Sequence, residues 1–309
     1  MKNVRLDKKT EEFLKLVDNT PGIEDIPVEE ARRLAKEYFS PLPVPIKHTE
    51  DIKITGSDGN DITLRIYSPS DKTDRPVIVY YHGGGWILGD LDRYENICRT
   101  VANGTGFTVV SVDYRLAPEH PFPAAITDSY DALNWVFNDP LSYLWDKNRI
   151  IVLGDSAGGT ISAVMAIKSR NKNGPCISRQ VLICPATNLA AMDTESYKMY
   201  GEGYYLTVDM MEYFRKLYAP DKNTRTDPYL SPLLEKDLSD LAPAVIITAE
   251  MDLLRDEGEE YAKKLKESGV PVILKRYTRM IHDFVLLLPE HETSVEALKW
   301  ISEDLNQSV

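Results

Sequence analysis

The chain first shows a helical rhythm. Between residues 10 and 38, Phe13, Leu14 and Val17, then Ala31, Leu34, Ala35 and Tyr38, recur at three- and four-residue spacing, which predicts two amphipathic helices. Pro41, Pro43 and Pro45 end this pattern and predict an extended connector. Two alternating segments, about 50–56 and 61–67, flank the turn Ser57-Asp58-Gly59-Asn60 and read as a hairpin. The period then changes. Blocks at Pro76–Tyr81, Phe107–Val112, Arg149–Leu153, Gln180–Cys184, Ala244–Thr248 and Val272–Tyr277 are apolar almost throughout, as strands buried on both faces should be. Helical patterns separate them. Tyr94, Ile97, Cys98 and Val101 mark one, closed by Gly104, and Ile126, Tyr130, Leu133 and Phe137 mark another. Two more are expected at 258–268 and about 292–305. This alternation predicts an α/β fold with a mostly parallel, doubly wound sheet and the hairpin as its antiparallel edge.

The stretch from Asn188 to Ser231 breaks the alternation. It holds one clear helix, begun by Thr207, together with Tyr197, Tyr200, Tyr204, Tyr205, Tyr213 and Tyr218 and four of the eight methionines. Such flexible and aromatic side chains suit a cap over an apolar cavity, and the N-terminal helices (about 1–45) are expected to complete it. A separate small helical core is the plainer alternative.

Charge narrows the partners. Among 309 residues, 36 Lys and Arg face 48 Asp and Glu, a formal net charge of −12, so phosphate backbones and anionic membranes would be repelled. Neither nucleic acid nor membrane is therefore expected as a partner. Cys98, Cys176 and Cys184 cannot all pair and form no Cys-x-x-Cys, which fits a reducing compartment with each acting as a small hydrophobe. The first residues show no apolar leader pattern, and the chain reads as a soluble, cytoplasmic protein.

The strongest chemical signal is Gly154-Asp155-Ser156-Ala157-Gly158-Gly159, between a predicted strand and a predicted helix. A G-x-S-x-G at such a junction is a nucleophile elbow, whose sharp reversal forces the serine toward positive φ and admits only small neighbours. His82-Gly83-Gly84-Gly85-Trp86 follows the strand Pro76–Tyr81, and its glycines let backbone N–H groups face a developing oxyanion. A dinucleotide loop is not matched, because Leu88 stands where the third glycine belongs. A serine hydroxyl needs a base. In an elbow of this kind the acid and then the histidine follow the nucleophile in chain order. Of the five histidines only His282 and His291 do so. His282 sits on a loop after the strand ending at Tyr277, while His291 is expected to be a solvated cap of the last helix. Asp252, four residues beyond Thr248, is the expected acid, with Glu250 its nearest competitor. Asp256 and Glu257 read as first-turn helix acids. His48, His82 and His120 are assigned to a connector, a loop-shaping role and a proline-flanked turn. No metal-ligand spacing is found, and no cofactor is expected.

These strings, with DYRLAPEHPFPA at 113–124, DLLRDEG at 252–258 and HDF at 282–284, resemble the hormone-sensitive-lipase family of α/β-hydrolases, in its branch of microbial carboxylesterases. The resemblance implies an α/β-hydrolase fold with a helical cap, and hydrolysis of small, short-chain acyl esters through an acyl-enzyme. Ser156 would be nucleophile, Asp252 acid and His282 base, with the N–H groups of Gly83, Gly84 and Ala157 as oxyanion hole. Trp86, Tyr205 and Phe284 would shape the pocket, although Trp86 reads equally well as core. It further allows a homodimer through the last strand or helix. Related plant hormone receptors lack the histidine, so His282 argues against a receptor. An amidase or peptidase would use the same triad, and a non-catalytic binding protein of the same fold is the remaining alternative. Activity is expected to fall on acidification through the His282 pKa, nominally about 6.5.

Overall fold

A computed structural model describes residues 6–38, 44–287 and 291–308. The proposed connector prolines Pro41 and Pro43 lie outside them. Eight strands form one sheet: β1 (His48–Thr55), β2 (Asp61–Ser68), β3 (Val77–Tyr81), β4 (Thr108–Asp113), β5 (Ile150–Asp155), β6 (Ile177–Ile183), β7 (Ala244–Met251) and β8 (Val272–Ile281). Their order is β1-β2-β4-β3-β5-β6-β7-β8. β1 and β2 pair antiparallel and β2 runs antiparallel to β4, whereas β4 through β8 are parallel. The hairpin is thus an antiparallel edge on a parallel sheet, as the alternation predicts.

Side-chain alternation sorts the core into layers. Val77, Val79 and Tyr81 of β3 point into one cluster while Ile78 and Tyr80 point into another, and Val152 and Ile151 of β5 divide the same way. The first layer lies under α4 (Ala124–Asn138) and α5 (Ala157–Lys172), and a neighbouring cluster links α5 to α8 (Arg255–Glu267). The opposite layer lies under α3 (Glu95–Thr105) and α9 (Glu292–Ser308). Helices α1 (Lys8–Asp18) and α2 (Val28–Tyr38) precede the sheet, and α6 (Glu195–Tyr200) and α7 (Val208–Tyr218) occupy the long segment between β6 and β7. Among the described residues no helix is long and apolar enough to cross a membrane.

Three local expectations need correction. α3 does not stop at Gly104. A Cβ there would meet Ser302 Oγ at 2.5 Å, so this glycine lets α3 approach α9, and Gly106 at φ 73° closes the helix. Phe137 is 37% exposed, and Val136 takes the buried position beside Ile126 and Leu133. Cys176 is exposed, unlike the buried Cys98 and Cys184.

Candidate active site

Register brings the candidate residues together. In the parallel pair of β3 and β5, Tyr81 lies opposite Gly154, so the glycine loop after β3 and the elbow after β5 leave the sheet side by side. In the pair of β7 and β8, Met251 lies opposite Ile281, so Asp252 and His282 begin their loops as neighbours. Every candidate therefore stands at the carboxyl edge of the sheet, where strand order reverses around β3.

Ser156 has φ 51° and ψ −119°, the strained geometry expected of an elbow, and caps the N-terminus of α5. Its Oγ lies 2.9 Å from His282 Nε2, and His282 Nδ1 lies 2.8 Å from Asp252 Oδ2. The other Asp252 oxygen accepts from the N–H of Leu254 at 2.9 Å, which fixes the carboxylate plane. All three side chains are buried. Burial of the imidazole opposes its protonation, but the carboxylate of Asp252, with Asp283 and Asp155 behind it, outweighs that and raises the pKa from 6.5 to about 9. The base of this site is therefore expected to lose its proton at a higher pH than an ordinary histidine.

The glycine loop is shaped by close approach. A Cβ on Gly83 would meet Asp155 Oδ2 at 2.3 Å, and Gly84, at φ 103°, turns the chain so that its carbonyl accepts from both Ile87 and Leu88. His82 anchors the loop from below. Its ring stacks between Tyr94 and Tyr114, Tyr114 donates its hydroxyl to the His82 carbonyl at 2.6 Å, and burial pushes the imidazole pKa down to about 4. The loop-shaping role read for His82 matches this place. His120 is exposed, and His48 opens β1 and pairs with Asp71.

Three side chains were expected around a pocket. Tyr205 lines a cavity of about 220 Å³ with Leu34, Leu88, Arg93 and Met210, between the N-terminal helices and the segment that follows β6. Trp86 is buried and stacks on Tyr218 with ring centroids 4.7 Å apart. Phe284 is fully buried against Tyr277 in the layer under α3 and α9.

Some residues escaped the sequence reading. His291 is not solvated: it is buried, with Nε2 3.0 Å from Asp7 Oδ1 and 3.2 Å from Thr10 Oγ1. Glu257 is no surface helix acid either. It is buried, its Oε1 accepts from the N–H groups of Thr187 and Asn188 at 2.6 and 3.0 Å, and burial raises its pKa to about 8. Asp155 accepts from the Tyr80 hydroxyl beneath the elbow. Cys184, at φ 44°, puts Sγ within 4.8 Å of donor atoms of Asp252 and His282. Those two are already bonded to each other, so the trio is an acid–base pair with a thiol beside it rather than an open metal site. Asp283 stands beside the imidazole. Nothing in spacing or periodicity marks any of these; burial by distant elements creates them.

A strained serine at a strand-to-helix elbow, bonded to a histidine that is itself held by an aspartate, defines a serine hydrolase site. Residues 78–286 match the family described as alpha/beta hydrolase fold. The carboxylic ester hydrolase LipN of Mycobacterium tuberculosis is 40% identical over 280 residues, 86% of this chain and 73% of that protein. The carboxylesterase NlhH of the same species is 42% identical over 263 residues, 84% of this chain and 82% of NlhH. The solved esterase of Pyrobaculum calidifontis superposes with a TM-score of 0.92 at 40% identity, covering 98% of this chain and 99% of the other. The chain belongs to the alpha/beta hydrolase family, in its hormone-sensitive-lipase-type branch of carboxylesterases.

Proposed function

We propose that this carboxylesterase cleaves small, short-chain acyl esters through a covalent acyl-enzyme on Ser156. The observation that carries the reading is the unbroken chain from Ser156 Oγ through His282 to Asp252, at 2.9 and 2.8 Å. His282 Nε2 takes the serine proton as Oγ attacks the ester carbonyl. Negative charge on the carbonyl oxygen meets the N–H groups of Gly83, Gly84 and Ala157, the last at the N-terminus of α5, each donor lowering the barrier by roughly 3 kcal/mol. The imidazolium returns the proton to the departing alcohol. Water then repeats the sequence on the acyl-enzyme. Asp252 holds the tautomer with Nδ1–H and stays ionised throughout.

Helices α1 and α2 and the segment 188–231 form the cap in this reading. A short acyl chain is what the resemblance implies; the cavity of about 220 Å³ among these cap elements, lined by Leu34, Tyr205 and Met210, does not include Ser156 or His282 in its lining. Trp86 stacks on Tyr218 and so braces α7 from the glycine loop. The test is hydrolysis of p-nitrophenyl esters from acetate to palmitate, with Ser156→Ala in parallel. Turnover should peak at short chains and vanish in the variant. A peak at long chains would overturn the substrate assignment, and faster cleavage of an isosteric anilide would make the enzyme an amidase.

A further inference from the structure

His282 has a second acidic neighbour, one that the triad does not use. Asp283 lies directly after it, at φ 51°, with Oδ2 3.5 Å from Nε2. That nitrogen also faces Ser156 Oγ, so Asp283 stands on the reacting side of the ring while Asp252 stands on the other. The side chain is only 6% exposed, and its Oδ1 has no hydrogen-bond partner among the described residues. A buried carboxylate is costly unless a charge or donor faces it. The groups around it come from every neighbouring element: Asp155 at the end of β5, Asp252 after β7, Cys184 after β6, Arg93 and Tyr94 ahead of α3, and Tyr205 ahead of α7. Arg93 supplies opposing positive charge, three carboxylates converge here, and the His282 ring lies 3.5 Å from Asp283 Oδ2.

We propose that Asp283 is a second positioning carboxylate of this centre, attracting the imidazolium of His282 from the Nε2 side as Asp252 does from the Nδ1 side, so that the esterase works best in alkaline solution. The inference rests on the triad reading above. At 3.5 Å the contact is an ion pair rather than a strong hydrogen bond, and the serine at 2.9 Å keeps the shorter bond to Nε2. Asp283 therefore acts through charge: burial and the neighbouring Asp252 raise its pKa, while the His282 imidazolium and Arg93 favour its ionised form. It stabilises the protonated ring in the transition state, and it also stabilises the same ring in the resting enzyme, where a proton on Nε2 blocks the base. The consequence is a working range pushed upward in pH, in line with the raised pKa of His282.

The experiment is the pH profile of kcat/KM for p-nitrophenyl acetate in Asp283→Asn and Asp283→Gly, beside the unaltered enzyme. Asparagine and glycine both accept the positive φ, so the turn is kept; Asn removes only the charge, whereas Gly removes the side chain with it. The acid limb should move to lower pH by roughly 1–3 units, the effect of one opposite charge at this range. A limb at the same pH in whichever variant folds would overturn the inference and leave Asp283 a turn residue. Failure of the triad reading would appear separately, as turnover persisting in Ser156→Ala.

Discussion

Gly158 and Gly258 make opposite predictions from the same substitution. A Cβ on Gly158 would sit 1.9 Å from the carbonyl oxygen of Tyr81 and 2.7 Å from that of His82. Neither atom belongs to a side chain that can swing away. Tyr81 ends β3, paired with Val112 on one side and Gly154 on the other. Ordinary contact begins near 3.4 Å, so the first turn of α5 would have to withdraw by about 1.5 Å, carrying Ser156 with it. Overpacking of this kind costs about 1–3 kcal/mol, and a catalytic group displaced by ~1 Å loses about 100-fold in rate. In Gly258 the picture reverses. Its nearest neighbours are Thr248 Cγ2 at 3.5 Å and Pro185 at 3.6 Å, ordinary contacts, and the residue lies inside α8. Alanine there should stabilise the helix by about 0.5–1 kcal/mol. The assay is kcat on p-nitrophenyl acetate with thermal unfolding of both variants. Gly158→Ala should lose about 100-fold and melt lower, whereas Gly258→Ala should keep its rate and melt slightly higher. A Gly158→Ala enzyme with unchanged kcat and Tm would refute the claim that the contact between the elbow and β3 positions the nucleophile.

Asp252→Asn removes a charge bonded to Nδ1 at 2.8 Å and permits the wrong tautomer. Coulombic loss of about 4 kcal/mol for charges ~4 Å apart corresponds to a 10³-fold slower kcat, and a change below about tenfold in steady-state assays would contradict the assigned role. Glu257 predicts a stability profile. Burial raises its pKa from 4.5 to about 8, so its protonated form is favoured by folding. That contribution is complete below pH 4.5 and is lost as pH rises through about 8. Thermal melting of the wild type should fall across this window and Glu257→Gln should flatten the fall; parallel curves would contradict the assignment.

Much of the fold is legible in local pattern, because buried parallel strands are apolar on both faces. Ile150 to Leu153 is unmistakable, since every position is covered. β8 runs on to Ile281, well past its apolar start, because as an edge strand it leaves Ile273, Arg276, Thr278 and Arg279 exposed and so breaks the apolar pattern. Ser156, Asp252 and His282 were legible because each follows a strand, and chain order fixes which acid and which histidine to seek. Glu257, His291 and Asp283 were not. Their surroundings come from distant segments: Thr187 and Asn188 for Glu257, Asp7 and Thr10 for His291, and the ends of three strands for Asp283. Phe284 and Trp86 show the converse, aromatics beside catalytic strings that packing draws into the core.

During turnover Ser156 should carry the acyl group. Acid quenching of the enzyme during turnover of p-nitrophenyl acetate, followed by mass analysis of its peptides, tests this directly. An acetyl group is expected on the Ser156 side chain within its peptide, absent in Ser156→Ala, which should also lose turnover. Sustained hydrolysis by Ser156→Ala, or an acetyl group found on another residue in its place, would contradict the account.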